Sequence, residues 1–228
     1  MTNNKNVETA LSYYERAILN VWNGEQMDAS LDTDIAAAFE AGASLALREH
    51  PKGNEFGAHW VLSMSASLGN SQCCADEPVL DELNGAAHRI LGQPIDMRQS
   101  YEIAATKSRY ALEQKSKLLI EISDEQVQQQ QQHAVLRDAL RRRYLRHLTL
   151  AMAACRADPT SSPETVDAYI QDGVKVAQAI QEESQSITED DRDSLVELYT
   201  NIGIVFKERS QNKSLQTNEG ILDQNIQL

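Results

Sequence analysis

Between Ile95 and Asp158 the chain contains no glycine and no proline. The stretch opens just after Gln93-Pro94 and closes just before Pro159. Glycine and proline are the strongest punctuators of local structure, so a run of this length without either points to helix. Apolar residues recur at Met97, Tyr101, Ala104, Ala105, Leu112, Leu118, Leu119 and Ile122. Their helical spacing places them on one face. A second series runs through Val127, Ala134, Leu140, Tyr144, Leu145, Leu148, Met152 and Cys155.

Between the two series lies Ile122-Ser123-Asp124-Glu125-Gln126. Ser123 and Gln126 have the spacing of a capping box. Asp124 and Glu125 would occupy the first turn, where the helix dipole favours negative charge. The spacing predicts one helix ending near Ser123 and a second starting there, packed antiparallel. A single rod of roughly 60 residues would be about 90 Å long and would need a partner strand. No strict heptad crosses the five glutamines Gln128 to Gln132, which read as a solvated helix surface.

Aromatic residues make up only 5% of the chain, and it has 10 glycines and 5 prolines in 228 residues. That sparseness favours an all-α fold. The length allows a real core without covalent staples. Three cysteines, two of them adjacent as Cys73-Cys74, do not form a disulfide framework. The expected setting is a reducing cytoplasm. The polar start, Met-Thr-Asn-Asn-Lys-Asn, has no apolar segment of the signal-peptide type. No apolar run reaches the 18 or so residues that span a bilayer.

The net charge is −13, which argues against general nucleic-acid binding. Its distribution is uneven. Residues 1–93 carry 5 basic and 13 acidic side chains, or −8. Residues 94–158 carry 11 and 8, or +3, and residues 159–228 carry 5 and 13, or −8. A basic centre between acidic flanks suits an electrostatically complementary internal packing, and would also suit an external partner.

Helical stripes recur on both sides of the centre. They lie at about 6–22, from a cap at Asp32 through Leu47, over 55–68, and from Asp76-Glu77-Pro78 to Gly92. The alanines and Gly42 of the second stripe suggest close packing. Beyond Asp158, Pro163 opens a helix reaching about Ser186, and Thr188 caps another that ends near Arg209. From Ser210 the chain is polar and aperiodic, and residues 210–228 are expected to form a flexible tail. The expectation is therefore one all-α domain over 1–209, with about eight helices and two long central antiparallel ones. Its parts are a short-helix subregion over 1–93, a long hairpin over 94–158 and a helix pair over 159–209. All are expected to share one core.

Candidate chemistry is thin. Glu55 and His59 lie four apart on one helical face and would supply two metal ligands, but a di-metal bundle needs paired Glu-x-x-His motifs, which are missing. Cys73-Cys74 with His59 and His88 lacks the spacer of a zinc knuckle. No nucleophile elbow, phosphate-cradling loop or His-Glu-x-x-His occurs. Neither catalytic, cofactor nor metal residues are predicted, and the chain is expected not to be an enzyme.

The strongest candidate site is the run Arg137, Arg141, Arg142, Arg143, Arg146, followed by His147. Arg137 and Arg141, and Arg142 and Arg146, stack one helical turn apart. Arginine's planar fork suits carboxylates and phosphates. The run would pair with the chain's own acidic segments, Glu182-Glu183 or Glu189 to Asp193, or serve a partner. Leu198 to Phe206 resembles the first helix of a tetratricopeptide repeat, and Ala10 to Ile18 is similar to the second helix of one. That resemblance implies stacked helix pairs with a peptide-binding groove, although no 34-residue period recurs.

The primary expectation is a cytoplasmic interaction or regulatory protein, adaptor- or scaffold-like, with coiled-coil contacts making a homo-oligomer through the long helices. One alternative is a nucleic-acid-associated factor using the arginine face. Another is an acidic nucleic-acid mimic that occupies a basic partner.

Overall fold

A computed structural model describes the backbone of residues 2–22, 29–70, 74, 76–121, 127–183 and 188–226. Side chains are described for 5–19, 34–69, 74, 76–115, 134–182 and 188–211. The described residues are all-α, in eight helices with no strand. The helices are α1 (Thr2–Trp22), α2 (Ala29–Glu49), α3 (Asn54–Asn70), α4 (Pro78–Ile90), α5 (Pro94–Glu121), α6 (Val127–Ala157), α7 (Pro163–Glu183) and α8 (Glu189–Ile226). The capping box at Ser123 lies outside the described residues.

Local chemistry accounts for several ends. Gly92 takes φ +67, a conformation glycine adopts without a Cβ clash. The amide of Gln93 donates to His88 O at 2.9 Å and that of Gly92 to Arg89 O at 3.2 Å, which closes α4 in a Schellman turn. Pro94 then opens α5 directly. At the start of α8, Thr188 Oγ1 accepts from the Asp191 amide at 3.2 Å, and Asp191 Oδ2 accepts from the Thr188 amide at 2.8 Å. That is a reciprocal capping box. Asp76-Glu77-Pro78 starts α4 at Pro78 with Glu77 as N-cap, and Glu77 makes no side-chain cap bond. Its carboxylate sits one methylene further out than that of a capping Asp.

The polar end of the chain also departs from expectation. The backbone stays helical from Glu189 through Ile226, where an aperiodic tail was expected from Ser210. The segment has no proline to interrupt the backbone ladder of the helix.

Buried apolar residues gather in separate clusters rather than one. Leu11, Ile18, Phe39, Val61, Leu68 and Leu80 belong to a core built by α1 to α4. Leu145, Met152, Ile180, Leu198 and Val205 belong to another, built by α6, α7 and α8. Met97 and Tyr101 with Ala151 and Ala154, and Ala105 with Tyr144 and Leu148, seal α5 onto α6. Numbering along α5 rises as that along α6 falls, since Arg98 meets Asp158 and Ser108 meets His147.

Several glycines set close approaches. A Cβ on Gly57 would fall 2.0 Å from Ala46 O, so α3 lies against the α2 backbone. A Cβ on Gly85 would fall 2.6 Å from Tyr101 Cε1, so the Tyr101 ring fills the α4–α5 contact. Gly42 lies against Trp60 and Tyr14, as its neighbouring alanines suggested.

Candidate functional site

The arginine run lies on α6, which packs against α5, α7 and α8 and reaches α4 through Glu82. Arg142 Nη1 donates to Asp191 Oδ1 at 2.8 Å. Arg146 Nη2 donates to Glu82 Oε1. Arg141 is buried, and its guanidinium lies 3.4 Å from Asp138 Oδ1 and 3.5 Å from Ala179 O. Arg137 is half-buried and likewise engaged. Arg143 is exposed on the same helix. Among the described residues, ion pairs join the basic centre to the acidic flanks at Arg142–Asp191, Arg146–Glu82, Lys107–Asp81 and Arg156–Glu208. Asp191 falls within the acidic segment suggested by sequence, whereas Glu82 does not.

His147 is buried beside Arg146. Its Nδ1 lies 2.6 Å from Ser108 Oγ and its Nε2 lies 2.8 Å from Glu82 Oε2. Serine, histidine and carboxylate in contact resemble a nucleophilic triad. Ser108 is nevertheless only 1% exposed and sits inside α5, where its backbone N–H belongs to the helix ladder. No free pair of amides therefore lies beside it to receive an oxyanion. The arrangement ties α4, α5 and α6 together through a satisfied buried polar network.

These carboxyls respond to opposing influences. Burial pushes the Glu82 carboxyl up, but the hydrogen bond from His147 and the Arg146 charge outweigh it and hold the group below its usual range. Asp191 behaves the same way: burial raises it, and the bonds from Thr188 and Arg142 bring it below normal. Asp158 is lowered by the Thr160 amide and hydroxyl, and further by Arg98. Asp81 goes the other way, because its burial outweighs the nearby Lys107 ammonium.

The arginines and His147 also line a cleft of about 450 Å³. Glu40 of α2, Val79 and Glu82 of α4, and Asp190, Asp193, Ser194 and Glu197 of α8 complete it. Three arginines thus face five carboxylates, so this is not a basic surface.

A second concavity is different in character. An open groove of about 700 Å³ runs between α7 and α8, lined by Gln181, Arg192, Leu195, Val196, Tyr199 and Thr200. Val196 is 64% exposed, Tyr199 45% and Phe206 55%. With Gly203 they recur along α8 at helical spacing, forming one stripe. Of the adjacent Val205 and Phe206, the first is buried and the second is not.

The other sequence candidates are dispersed. Glu55 and His59 are exposed on α3. Cys74 is buried, His88 Nδ1 lies 2.6 Å from Gln93 Oε1, and Cys73 is outside the described residues. No cluster of three or more metal-ligating side chains occurs among the described residues. No described helix is long and apolar enough to cross a membrane. Comparison with protein-family models, with curated proteins and with solved structures gives no match.

Proposed function

We propose that this chain is a non-enzymatic interaction protein, adaptor- or scaffold-like, working through protein–protein contacts in the cytoplasm. The observation that carries this reading is the apolar stripe Val196, Tyr199 and Phe206 beside the α7–α8 groove. Single exposed apolar residues are ordinary, but a contiguous stripe along a groove is a recognition feature. Tyrosine and phenylalanine supply large rigid contact area at low entropic cost.

The nucleic-acid reading has less support. Arg141, Arg142 and Arg146 are turned to internal acceptors, and the cleft lined by Arg142, Arg143 and Arg146 carries more carboxylates than guanidiniums. Arg143 alone of the run is exposed with no ion pair among the described residues, too little for a phosphate-tracking surface.

Affinity capture from native cells tests the proposal, comparing the natural chain with a Val196→Glu/Tyr199→Glu variant of matched helicity. Partners held through the groove are lost with the variant. Unchanged capture overturns the reading.

A further inference from the structure

The α7–α8 groove has an occupant that the chain itself supplies. We propose that it is the segment of α8 from Asn201 to Lys213 of a second copy, so that two chains pair antiparallel through α8; this rests on the interaction reading above. An unbroken helix from Glu189 to Ile226 cannot fold its own C-terminal half back onto the groove beside its N-terminal half. A second copy meets no such restriction, and a symmetric pairing covers the same face on both chains.

The register follows from the stripe. With the two-fold axis at Asn201, Phe206 faces the partner's Val196 and Tyr199 faces the partner's Gly203. Large residues then meet small ones, as close helix packing requires. Gly203 is suited to that position: a Cβ there meets nothing within 4 Å, so no neighbour in its own chain accounts for the glycine. A glycine in an exposed helix interior otherwise only weakens the helix.

Charge supports the same alignment. From Glu189 to Thr200, α8 carries five acidic residues and one basic, with Asp191 already paired to Arg142. From Asn201 to Lys213 it carries three basic and one acidic. The antiparallel register sets Lys213 opposite the partner's Glu189; Arg209 and Glu208 are already paired within their own chain, to Asp167 and Arg156. A parallel pairing would set acid against acid. The overlap, from Glu189 to Lys213 in both chains, spans about 37 Å.

Light scattering on a sizing column, with the full chain at tens of micromolar, gives the first reading. A mass twice the 25.4 kDa of the chain is expected. Val196→Glu/Tyr199→Glu returns it to one, weakening association by on the order of a hundredfold, with unchanged circular dichroism. Orientation is read by disulfide trapping: Glu189→Cys chains mixed with Lys213→Cys chains crosslink, and neither crosslinks alone above the natural chain. Self-crosslinking of either variant alone, a monomeric natural chain, or a dimer that survives the double substitution overturns the proposal. If the natural chain is monomeric but the double variant still loses a different captured protein, self-pairing falls and the interaction reading stands. If capture is also unchanged, both fall.

Discussion

Arg142 Nη1 and Asp191 Oδ1 lie 2.8 Å apart, 49 residues apart in sequence, and the Asp191 side chain is only 2% exposed. Asp191 also closes the Thr188 capping box. One carboxylate thus starts α8 and fixes it to α6. Asp191→Ala removes the cap and leaves Arg142 facing a partly buried void. A loss of about 2–4 kcal/mol is expected, measured as a lower urea midpoint. Asp191→Asn keeps an acceptor for the Thr188 amide and should lose less.

His147 is the next junction. His147→Ala leaves a cavity, strips the buried Ser108 hydroxyl of its partner and leaves Glu82 with Arg146 alone. About 3 kcal/mol should be lost. Ser108→Ala removes only one weak partner and should cost about 1 kcal/mol. If Ser108→Ala proves as damaging as His147→Ala in thermal unfolding, the hydroxyl matters more than the ring.

Acid should loosen the same junctions. Glu82, Asp158 and Asp191 all titrate below their ordinary values of 4.5, 3.8 and 3.8 in the folded chain. A carboxyl with a lowered folded pKa contributes stability above its unfolded pKa and loses it as pH falls through the folded one. The contribution of these three carboxyls is therefore level above about pH 5 and declines progressively below pH 4.5. Asp81 is raised, so its own contribution has the opposite sign and improves on protonation. Urea midpoints between pH 7 and pH 3 check the balance: four lowered carboxyls, Glu208 beside Arg156 included, against one raised predict a net fall. A midpoint that rises toward pH 3 contradicts it.

The helical architecture was legible in the sequence because it rests on local signals. Pro78, Gly92, Pro94, Pro163 and Thr188 each mark an end that a few neighbouring residues determine. Complementary packing between a basic centre and acidic flanks was also visible, since charge totals need no contact map. The individual partners were not. Glu82 and His147 are separated by 65 positions, and Asp81 and Lys107 by 26, so no periodic pattern links them. The groove was hidden for a related reason: a stripe on α8 reads as core until the position of α7 leaves Val196, Tyr199 and Phe206 uncovered. The helix beyond Ser210 was missed because apolar periodicity, the primary signal, is absent there.

Two glycine substitutions should move stability in opposite directions. Gly57→Ala places a methyl 2.0 Å from the Ala46 carbonyl oxygen, a backbone atom that no rotamer change can move. Helices α2 and α3 must separate, at a cost of about 1–3 kcal/mol. Gly203→Ala meets nothing within 4 Å and raises helix propensity, so the isolated chain should gain up to about 1 kcal/mol. If Gly203 is the close-approach point of two α8 helices, the added methyl has a second effect. It crowds the partner's Tyr199 and weakens self-association. Thermal unfolding at low concentration should then show a higher Tm for Gly203→Ala, while sizing at tens of micromolar shows less dimer than the natural chain. A variant that gains stability and keeps full dimerisation would move the two-fold contact away from Gly203.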